Sequence, residues 1–369
     1  MAQHLWPFAA LRLPEPPKPL RHRMRTRNLR DIPTDFRDIS QAIGADGLLI
    51  QGAGGNTSIK IDEQLMWVKA SGKWLQHAGV EDVFVAVDWS RVNENILNEA
   101  DDPVQDASLE TSSRNLRPSI ETTLHSLMPH KVVFHTHSIN TIVHAVQSQT
   151  EEALRPKLDG MKWGLVPYSK PGLALTRLVA GVLAARDCDV LIIQNHGLVV
   201  GGDSPAHALE RMQEVETRLS VEPLPMLPAM PDPLVAACTN TGFMIAETDV
   251  IHQLALYDEV YDLARTGSLY PDHVVFLGSG IAGVESVEEM TVFCRSEAVD
   301  PLRPKAVALK GGGVAYDKSL SSGGIEMLTA LAQVARRRTG LADVRYLSEA
   351  EERELVDWDA EKYRRTLED

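Results

Sequence analysis

The sequence is poor in cysteine, in long apolar stretches and in net positive charge. Its three cysteines lie far apart and are odd in number, so they suggest neither a disulfide framework nor a paired-cysteine metal site. No apolar run approaches the ~18 residues that a membrane span needs. The net charge of -14 argues against non-specific binding to nucleic acid or to an anionic membrane. We therefore predict a cytoplasmic protein that acts on small molecules, with neither nucleic acid nor membrane as a partner.

The domain organisation is suggested by length and by one proline-rich segment. A chain of 369 residues is long for a single core and suggests two domains. Five prolines fall between Pro223 and Pro233, and proline fixes φ and removes a donor, which favours an extended linker. We predict an α/β domain over 35–221, a linker over 222–233 and a smaller α/β domain of unknown role over 234–369. Residues 1–34, proline-rich and then basic, are predicted to be a flexible extension.

Periodicity and turn residues predict strands mixed with flanking helices, which is typical of an α/β domain. Helices are predicted at 35–45, 118–127, 173–185, 205–219, 249–265 and 325–338, with a charged, solvated helix from Glu351 onward. Strands are predicted at 48–51, 59–61, 65–72, 132–134, 190–194, 274–277 and 306–309.

A metal site is indicated by three histidines and one glutamate. His135 and His137 stand two apart at the end of an apolar run, so both imidazoles leave the same face of a strand. His196 follows a second apolar run, and Glu121 opens a predicted helix. Three imidazoles and a carboxylate suit a borderline metal such as zinc. The competing interpretation is a set of unrelated core or surface histidines, which we adopt for His125, His144 and His207.

Three glycine-containing stretches invite a ligand interpretation. The turns at 52–60 (GAGGNTSIK) and 69–72 (KASG) could present backbone N–H groups to an anion, although either could be a plain hairpin turn. Gly278, Gly280 and Gly283 match a dinucleotide-binding pattern after a predicted strand. That pattern alone is weak evidence, and too little chain follows for a full dinucleotide domain. An NAD-linked oxidoreductase stays an alternative that nucleotide binding would revive.

Five motifs in order resemble the class II aldolase/adducin family over about residues 35–219: GGNTS, KASG, PSIETTLH, HTH and NHG. The resemblance implies a three-layer α/β/α domain that assembles into a homo-oligomer, a tetramer. It also implies a site with zinc or another divalent metal on His135, His137 and His196. Glu121 becomes the catalytic acid/base, and the phosphate of a sugar-phosphate substrate is bound by Gly55, Asn56, Ser71, Gly72 and Ser119.

The implied activity is that of a metal-dependent aldehyde-lyase of carbohydrate metabolism. It would cleave a ketose 1-phosphate into dihydroxyacetone phosphate and an aldehyde through a metal-stabilised enediolate. The same site could support an epimerase, a dehydratase or a decarboxylase, and adducin-like members use the fold without catalysis. The segment PDHVVFLG at 271–278 resembles the middle region of bifunctional aldolase/dehydrogenase proteins.

Two departures from the family pattern bear on the substrate and on catalysis. Ile120 stands where many members carry a second serine before the glutamate, which puts the phosphorylated substrate in question. The stretch 155–164 has no tyrosine, whereas the family's aldolases take a catalytic residue, often tyrosine, from such a loop of a neighbouring subunit.

Overall fold

The first half of the chain folds around a seven-stranded sheet. The computed structural model describes residues 32–109, 116–230, 232–296, 300–338 and 343–356. The sheet order is β3-β2-β1-β4-β7-β6-β5, and neighbouring strands are antiparallel except for the parallel pair β5 and β6. The strands are β1 Asn56–Lys60, β2 Leu65–Lys69, β3 Phe84–Asp88, β4 Val132–Thr136, β5 Trp163–Val166, β6 Val190–Ile193 and β7 Gly197–Gly202.

Helices cover both faces of this sheet. They are α1 Thr34–Ala45, α2 Trp89–Leu97, α3 Thr122–Leu127, α4 Ile139–Ala145, α5 Thr150–Leu154, α6 Leu173–Ala185 and α7 Pro205–Leu219. Because strand side chains alternate, Val132 and Phe134 of β4 pack in one core with α1 and α7. Val133 lies in the opposite core with α2, α3 and α6. The predicted three-layer α/β/α architecture is confirmed.

A smaller four-stranded sheet organises the second half, with the order β8-β11-β10-β9. Its strands are β8 Phe243–Ile245, β9 Ala282–Val284, β10 Ala306–Leu309 and β11 Gly313–Asp317. The helices are α8 Asp232–Cys238, α9 Asp249–Leu256, α10 Asp258–Thr266, α11 Pro271–Leu277, α12 Val287–Arg295, α13 Ser322–Ala335 and α14 Glu349–Val356. Alternating residues of β10 enter separate cores on the two faces, which confirms a second, smaller α/β unit.

The two halves share one apolar core through α4. Ile139, Ile142 and Val143 of this helix pack in the same cluster as Val274 of α11 and Leu328 of α13. Since α4 directly follows β4, the strand that carries His135 is joined to the second half through continuous packing.

The proline-rich segment forms neither helix nor strand over 222–230, whereas residues 232–233 of the predicted linker already belong to α8. The segment is not free. The Leu224 amide donates to the Arg336 carbonyl at 2.8 Å. The Gln253 side chain both accepts from the Leu227 amide and donates to its carbonyl, each at 2.9 Å. The Tyr257 hydroxyl donates to the Pro225 carbonyl. The linker is therefore docked along α9 and α13.

Two predicted strands are wrong. Residues 48–51 form a turn, because Asp46 accepts from the amides of Leu48, Leu49 and Ile50 and leaves them no sheet partner. Residues 274–277 belong to α11, whose first position is proline. The glycine pattern at 278–283 thus follows a helix, whereas a dinucleotide fingerprint requires a preceding strand.

Four predicted helices differ from the observed ones in extent or in burial. The helix predicted at 325–338 is α13, which begins and ends three residues earlier, at Ser322–Ala335. The segment 249–265 is two helices, since Tyr257 adopts an extended conformation between α9 and α10. The helix predicted from 118 begins at Thr122, because Pro118 bridges to Ala70 and the Ser119 amide donates to Lys69. In α14, Leu355 is buried, so this helix is packed rather than wholly solvated.

Two further predictions fall partly or wholly outside the described residues: most of the N-terminal extension, 1–31, and the chain after 356. Among the described residues, no helix is both long and apolar enough to cross a lipid bilayer.

Candidate metal and substrate site

Three histidines meet where β4 ends beside the turn between β6 and β7. His135 lies in β4, His137 lies one residue beyond it, and His196 lies in the turn. Strand register places His135 opposite Val199 of β7, which brings the turn alongside. The three ring centroids are 5.0 to 5.1 Å apart, and one nitrogen from each ring lies within 4.8 Å of the others. The structure therefore brings the three predicted metal ligands together.

The turn that carries His196 has an unusual backbone. Asn195 adopts a positive φ of 53°, a conformation that asparagine tolerates better than most residues. Its side-chain amide donates to the carbonyls of Leu269 and Arg345, both at 2.8 Å. A Cβ at Gly197 would overlap the Thr136 carbonyl oxygen, so glycine lets the turn approach β4. The Asn-His-Gly sequence thus fixes the turn, and the second half of the chain supplies its anchors.

Glu121 lies between two of the histidines, immediately before α3. Its Oε2 is 3.3 Å from His135 Nε2, and its Oε1 is 3.4 Å from His196 Nε2. Asn56 Nδ2 donates to Oε2 at 2.8 Å and fixes the carboxylate. Burial opposes ionisation, but the adjacent imidazoles, His135 first, outweigh it and hold the pKa of Glu121 well below its usual range. The carboxylate is therefore ionised at neutral pH.

The ring nitrogens of the cluster are oriented from outside. His135 Nδ1 donates to the Leu198 carbonyl at 3.0 Å, so its Nε2 faces Glu121. His137 Nδ1 lies 3.0 Å from Asp272 Oδ2, which directs its Nε2 to the opposite side. Each remaining nitrogen is thereby presented inward.

A test of fit for a divalent metal rests on groups left over in this cluster. Four buried atoms of this cluster have no hydrogen-bond partner in the described part of the chain: His135 Nε2, His137 Nε2, His196 Nδ1 and Glu121 Oε1. Leaving one such group unsatisfied typically costs about 1–3 kcal/mol, so four together call for a ligand. Burial lowers the pKa of His196 to about 3, which keeps it neutral as a metal ligand requires. The donor set fits a divalent metal.

Protonation within the cluster is uneven. Burial disfavours a charged His135, but the Glu121 carboxylate outweighs burial and raises the pKa of that imidazole. A protonated His135 would have to lose its proton before it binds a metal, since the metal ligand is the neutral ring.

Two of the histidines set aside in the sequence are satisfied core residues. His125 is bonded through Nδ1 to Ser58 Oγ at 2.7 Å and through Nε2 to Asn56 Oδ1. His144 donates from Nε2 to the Leu219 carbonyl. The third, His207, is on α7 with a largely exposed side chain. None of the three joins the cluster.

The five residues predicted to bind phosphate all line one cleft together with Glu121, His137 and His196: Gly55, Asn56, Ser71, Gly72 and Ser119. Gly55 and Gly72 have positive φ values of 54° and 72°, which only glycine adopts without strain. The cleft holds about 30 Å³ and shares Ser71, Ser119 and Ile120 with an adjoining cavity of about 740 Å³.

Asn56 has a role that the sequence did not reveal. Its Nδ2 donates to Ser119 Oγ at 3.1 Å as well as to Glu121, and its Oδ1 is bonded to His125. Because these side-chain groups are engaged, the Asn56 side chain holds the Glu121 carboxylate rather than presenting a free donor to an anion.

Asp272 is the site residue that sequence reasoning missed. It lies in the first turn of α11, lines the cleft, and its side chain is 7% exposed. A local signal for the helix exists, since proline at the first position and an acid in the first turn typically begin a helix. No local signal links it to His137, because the two are far apart in the chain.

Comparison with known proteins identifies the family. Residues 36–222, just over half of the chain, match the model of the class II aldolase and adducin N-terminal domain. This chain belongs to that family.

One curated relative is the "Uncharacterized oxidoreductase YuxG" of Bacillus subtilis (strain 168). It is 30% identical over 178 residues, which are 45% of this chain and 26% of the relative. The chain thus spans about a quarter of that relative's length.

Two solved structures resemble the chain over 50% of its length. One is the N-terminal class II aldolase domain of a conserved protein from Thermoplasma acidophilum, with 23% identity, 90% of that chain covered and a TM-score of 0.43. The other is a sugar-phosphate aldolase from Thermotoga maritima, with 17% identity, 91% covered and a TM-score of 0.39.

Proposed function

We propose that this protein is a divalent-metal-dependent aldolase that cleaves a ketose 1-phosphate into dihydroxyacetone phosphate and an aldehyde. The observation that supports this proposal is the position of Glu121. Its ionised carboxylate lies between His135 and His196 and lines a cleft together with glycine- and serine-containing loops.

The three histidines would hold the metal, which when bound supplies Lewis acidity to the carbonyl and hydroxyl oxygens of the substrate. His135 and His137 are held in their orientations by contacts outside the cluster, so these two rings need little reorganisation on loading. Proton transfer is then the task of the chain's own groups.

Glu121 is suited to move a proton at the substrate carbon next to the carbonyl. Asn56 holds Oε2, whereas Oε1 has no hydrogen-bond partner among the described residues and is the oxygen that would take the proton. In condensation, the ionised carboxylate removes a proton from that carbon. In cleavage, the bond between C3 and C4 breaks as the C4 hydroxyl loses its proton and becomes the aldehyde. Glu121 takes up one proton and delivers it to C3, so one proton leaves oxygen and one arrives at carbon.

The far end of the cleft is suited to an anion. The loops of Gly55 and Gly72 are tied together by Lys69, whose ammonium donates to the Ala53 and Lys73 carbonyls, each at 2.7 Å. This buried cation lies against the same cleft, which favours a phosphate there. Ile120 lines the cleft in place of a second hydroxyl donor, so fewer side-chain hydrogen bonds are available to that phosphate.

The proposal is tested with zinc-loaded protein and a panel of ketose 1-phosphates, each paired with its unphosphorylated ketose. We expect aldehyde release from at least one phosphorylated member, and exchange of a carbon-bound proton of dihydroxyacetone phosphate with solvent. We also propose that the chain assembles into a homotetramer, as the family resemblance implies, and light scattering should detect it. If fully loaded protein gives neither aldehyde nor proton exchange across the panel, the aldolase proposal is wrong.

A further inference from the structure

We propose that Asp272, contributed by the second half of the chain, is a positioning residue of the metal site. Its carboxylate accepts the Nδ1 proton of His137 and so presents the Nε2 lone pair to the metal. This inference rests on the proposed metal site and extends it to a unit that the family match does not cover.

The geometry of one buried pair carries the inference. Asp272 Oδ2 lies 3.0 Å from His137 Nδ1, and the two side chains are 7% and 8% exposed. A neutral imidazole has one N–H, and a carboxylate beside Nδ1 favours the tautomer with the proton there. His137 Nε2 is then a lone-pair donor, and it is one of the buried atoms left without a partner in the described chain.

The backbone beside the pair leaves space for it. A Cβ at Gly54 would lie 2.9 Å from His137 Nδ1 and 3.2 Å from Asp272 Oδ2. Any other residue at this position would press on both partners at once. Glycine at position 54 thus leaves the space that the His137–Asp272 contact occupies.

His135 offers an internal comparison. Its Nδ1 is held by the Leu198 carbonyl, so both ligands have an oxygen acceptor behind the ring. The acceptor behind His135 is a neutral backbone group of the seven-stranded sheet, whereas the one behind His137 is a side-chain carboxylate from α11. A carboxylate behind a metal-bound imidazole both orients the ring and raises its basicity.

The second half of the chain holds Asp272 firmly in place. Val274 and Val275, on the same helix, are buried in the core that includes Ile139 and Ile142 of α4. Asn195, next to His196, donates to the carbonyl of Leu269 just before α11. The second half therefore contacts the segments of two of the three ligands: Asp272 contacts His137 itself, and Leu269 and Arg345 contact Asn195 beside His196.

The experiment measures zinc affinity of the full chain by competition with a chelator, independently of activity. Asp272→Asn keeps an oxygen acceptor and removes the charge, and Asp272→Ala removes both. We expect a loss of about 10-fold for the first and up to about 100-fold for the second, the usual range for such partners of a metal ligand.

A matched control exists at the opposite end of β4. His130 Nε2 lies 2.8 Å from Asp189 Oδ1, a second partly buried histidine–carboxylate pair outside the cluster. Asp189→Asn should leave zinc affinity unchanged. Nitrogen-15 NMR of the imidazoles in metal-free protein gives a second readout, in which His137 should carry its proton on Nδ1 in the wild type.

The outcomes separate the two proposals. A wild-type protein that binds no zinc contradicts the proposed function itself. If the wild type binds zinc and both Asp272→Asn and Asp272→Ala bind it as tightly as the wild type does, only the role of Asp272 is overturned. If either variant fails to fold, the proton position on His137 in the wild type decides, since a proton on Nε2 is incompatible with the proposal.

Discussion

The buried polar groups near the two sheets differ in whether they have hydrogen-bond partners. Where β4 ends in the seven-stranded sheet, His137 Nε2 and Glu121 Oε1 are buried and lack partners among the described residues. Around the four-stranded sheet, His252 Nδ1 accepts from the Val314 amide at 3.0 Å, and Gln253 is bonded to the Leu227 backbone. Buried polar groups normally find partners, so the groups left over indicate where a ligand belongs. The candidate metal site accordingly lies at the first sheet.

Helix α11 of the second half also carries buried polar groups without partners among the described residues. Tyr270 and His273 flank Asp272, and their hydroxyl and Nε2 are further buried atoms without a partner in the described part of the chain. Buried polar atoms without a partner thus also occur in the described residues of the second half, at the helix that contacts the site. Among its described residues the second half contains no cluster of metal ligands, and under the proposal for Asp272 it contributes to the cluster of the first half through one buried carboxylate.

The largest effect should come from removing a histidine of the cluster. His196→Ala leaves two imidazoles for the metal, so we expect loss of the bound ion, about one per chain in the wild type, and of all activity. Metal content after gel filtration, measured by mass spectrometry, checks this. His252→Gln is the control from the second sheet and should keep its metal. Full metal content in His196→Ala would contradict the assignment of the metal site to the seven-stranded sheet.

A smaller effect, confined to turnover, is expected for Glu121→Gln. The amide keeps the shape of the side chain but cannot accept a proton, so turnover should fall ~10²–10⁴-fold. Metal content should be near that of the wild type, because the three imidazoles are intact. The measurement is cleavage rate together with proton exchange of dihydroxyacetone phosphate.

Glu216→Gln supplies the matched control for that change. Glu216 is a mostly buried glutamate of α7 that accepts from Asn140 at 3.0 Å, and burial raises its pKa. Its replacement should leave turnover unchanged. Equal rates in Glu121→Gln and the wild type would assign the proton transfer to another residue.

Prediction from sequence succeeded where a local signal exists. Helix α7 was predicted with its observed bounds because Ser204 caps it, Pro205 opens it and its apolar residues repeat with helical spacing. The proximity of His135 and His137 followed from the two-residue period of a strand. The family and the α/β fold are confirmed on the same motifs.

It failed where long-range contacts or competing local bonds decide. The apolar run at 274–277 suggested a strand, but Pro271 and the packing of α11 on α13 favour a helix. Asp272 reaches His137 only through that packing, and Asn56 is occupied by Glu121 only in the folded chain. No single-sequence pattern contains such pairings.

The smallest predicted effect concerns how firmly the linker is docked. Gln253 makes two hydrogen bonds to Leu227, each with a net contribution of about 0.5–1.5 kcal/mol. Gln253→Ala should therefore speed proteolytic cleavage within 224–230 by about 10-fold, without changing metal content. Mass spectrometry of the first fragments measures rate and position. The control is Gln333→Ala in α13. The Gln333 side chain accepts from Arg337, so this variant should be cleaved at the wild-type rate.

Cleavage of the linker also tests whether the halves are separate units. Ile139 and Ile142 of α4 share a core with Val274 and Leu328, and Asp272 contacts His137 across the same boundary. The two fragments should therefore remain associated on gel filtration and keep their metal. First cuts inside 36–219 would place the weakest segment elsewhere than the linker. Fragments that part while the first retains full zinc affinity would mean that the seven-stranded sheet holds its metal without the second half.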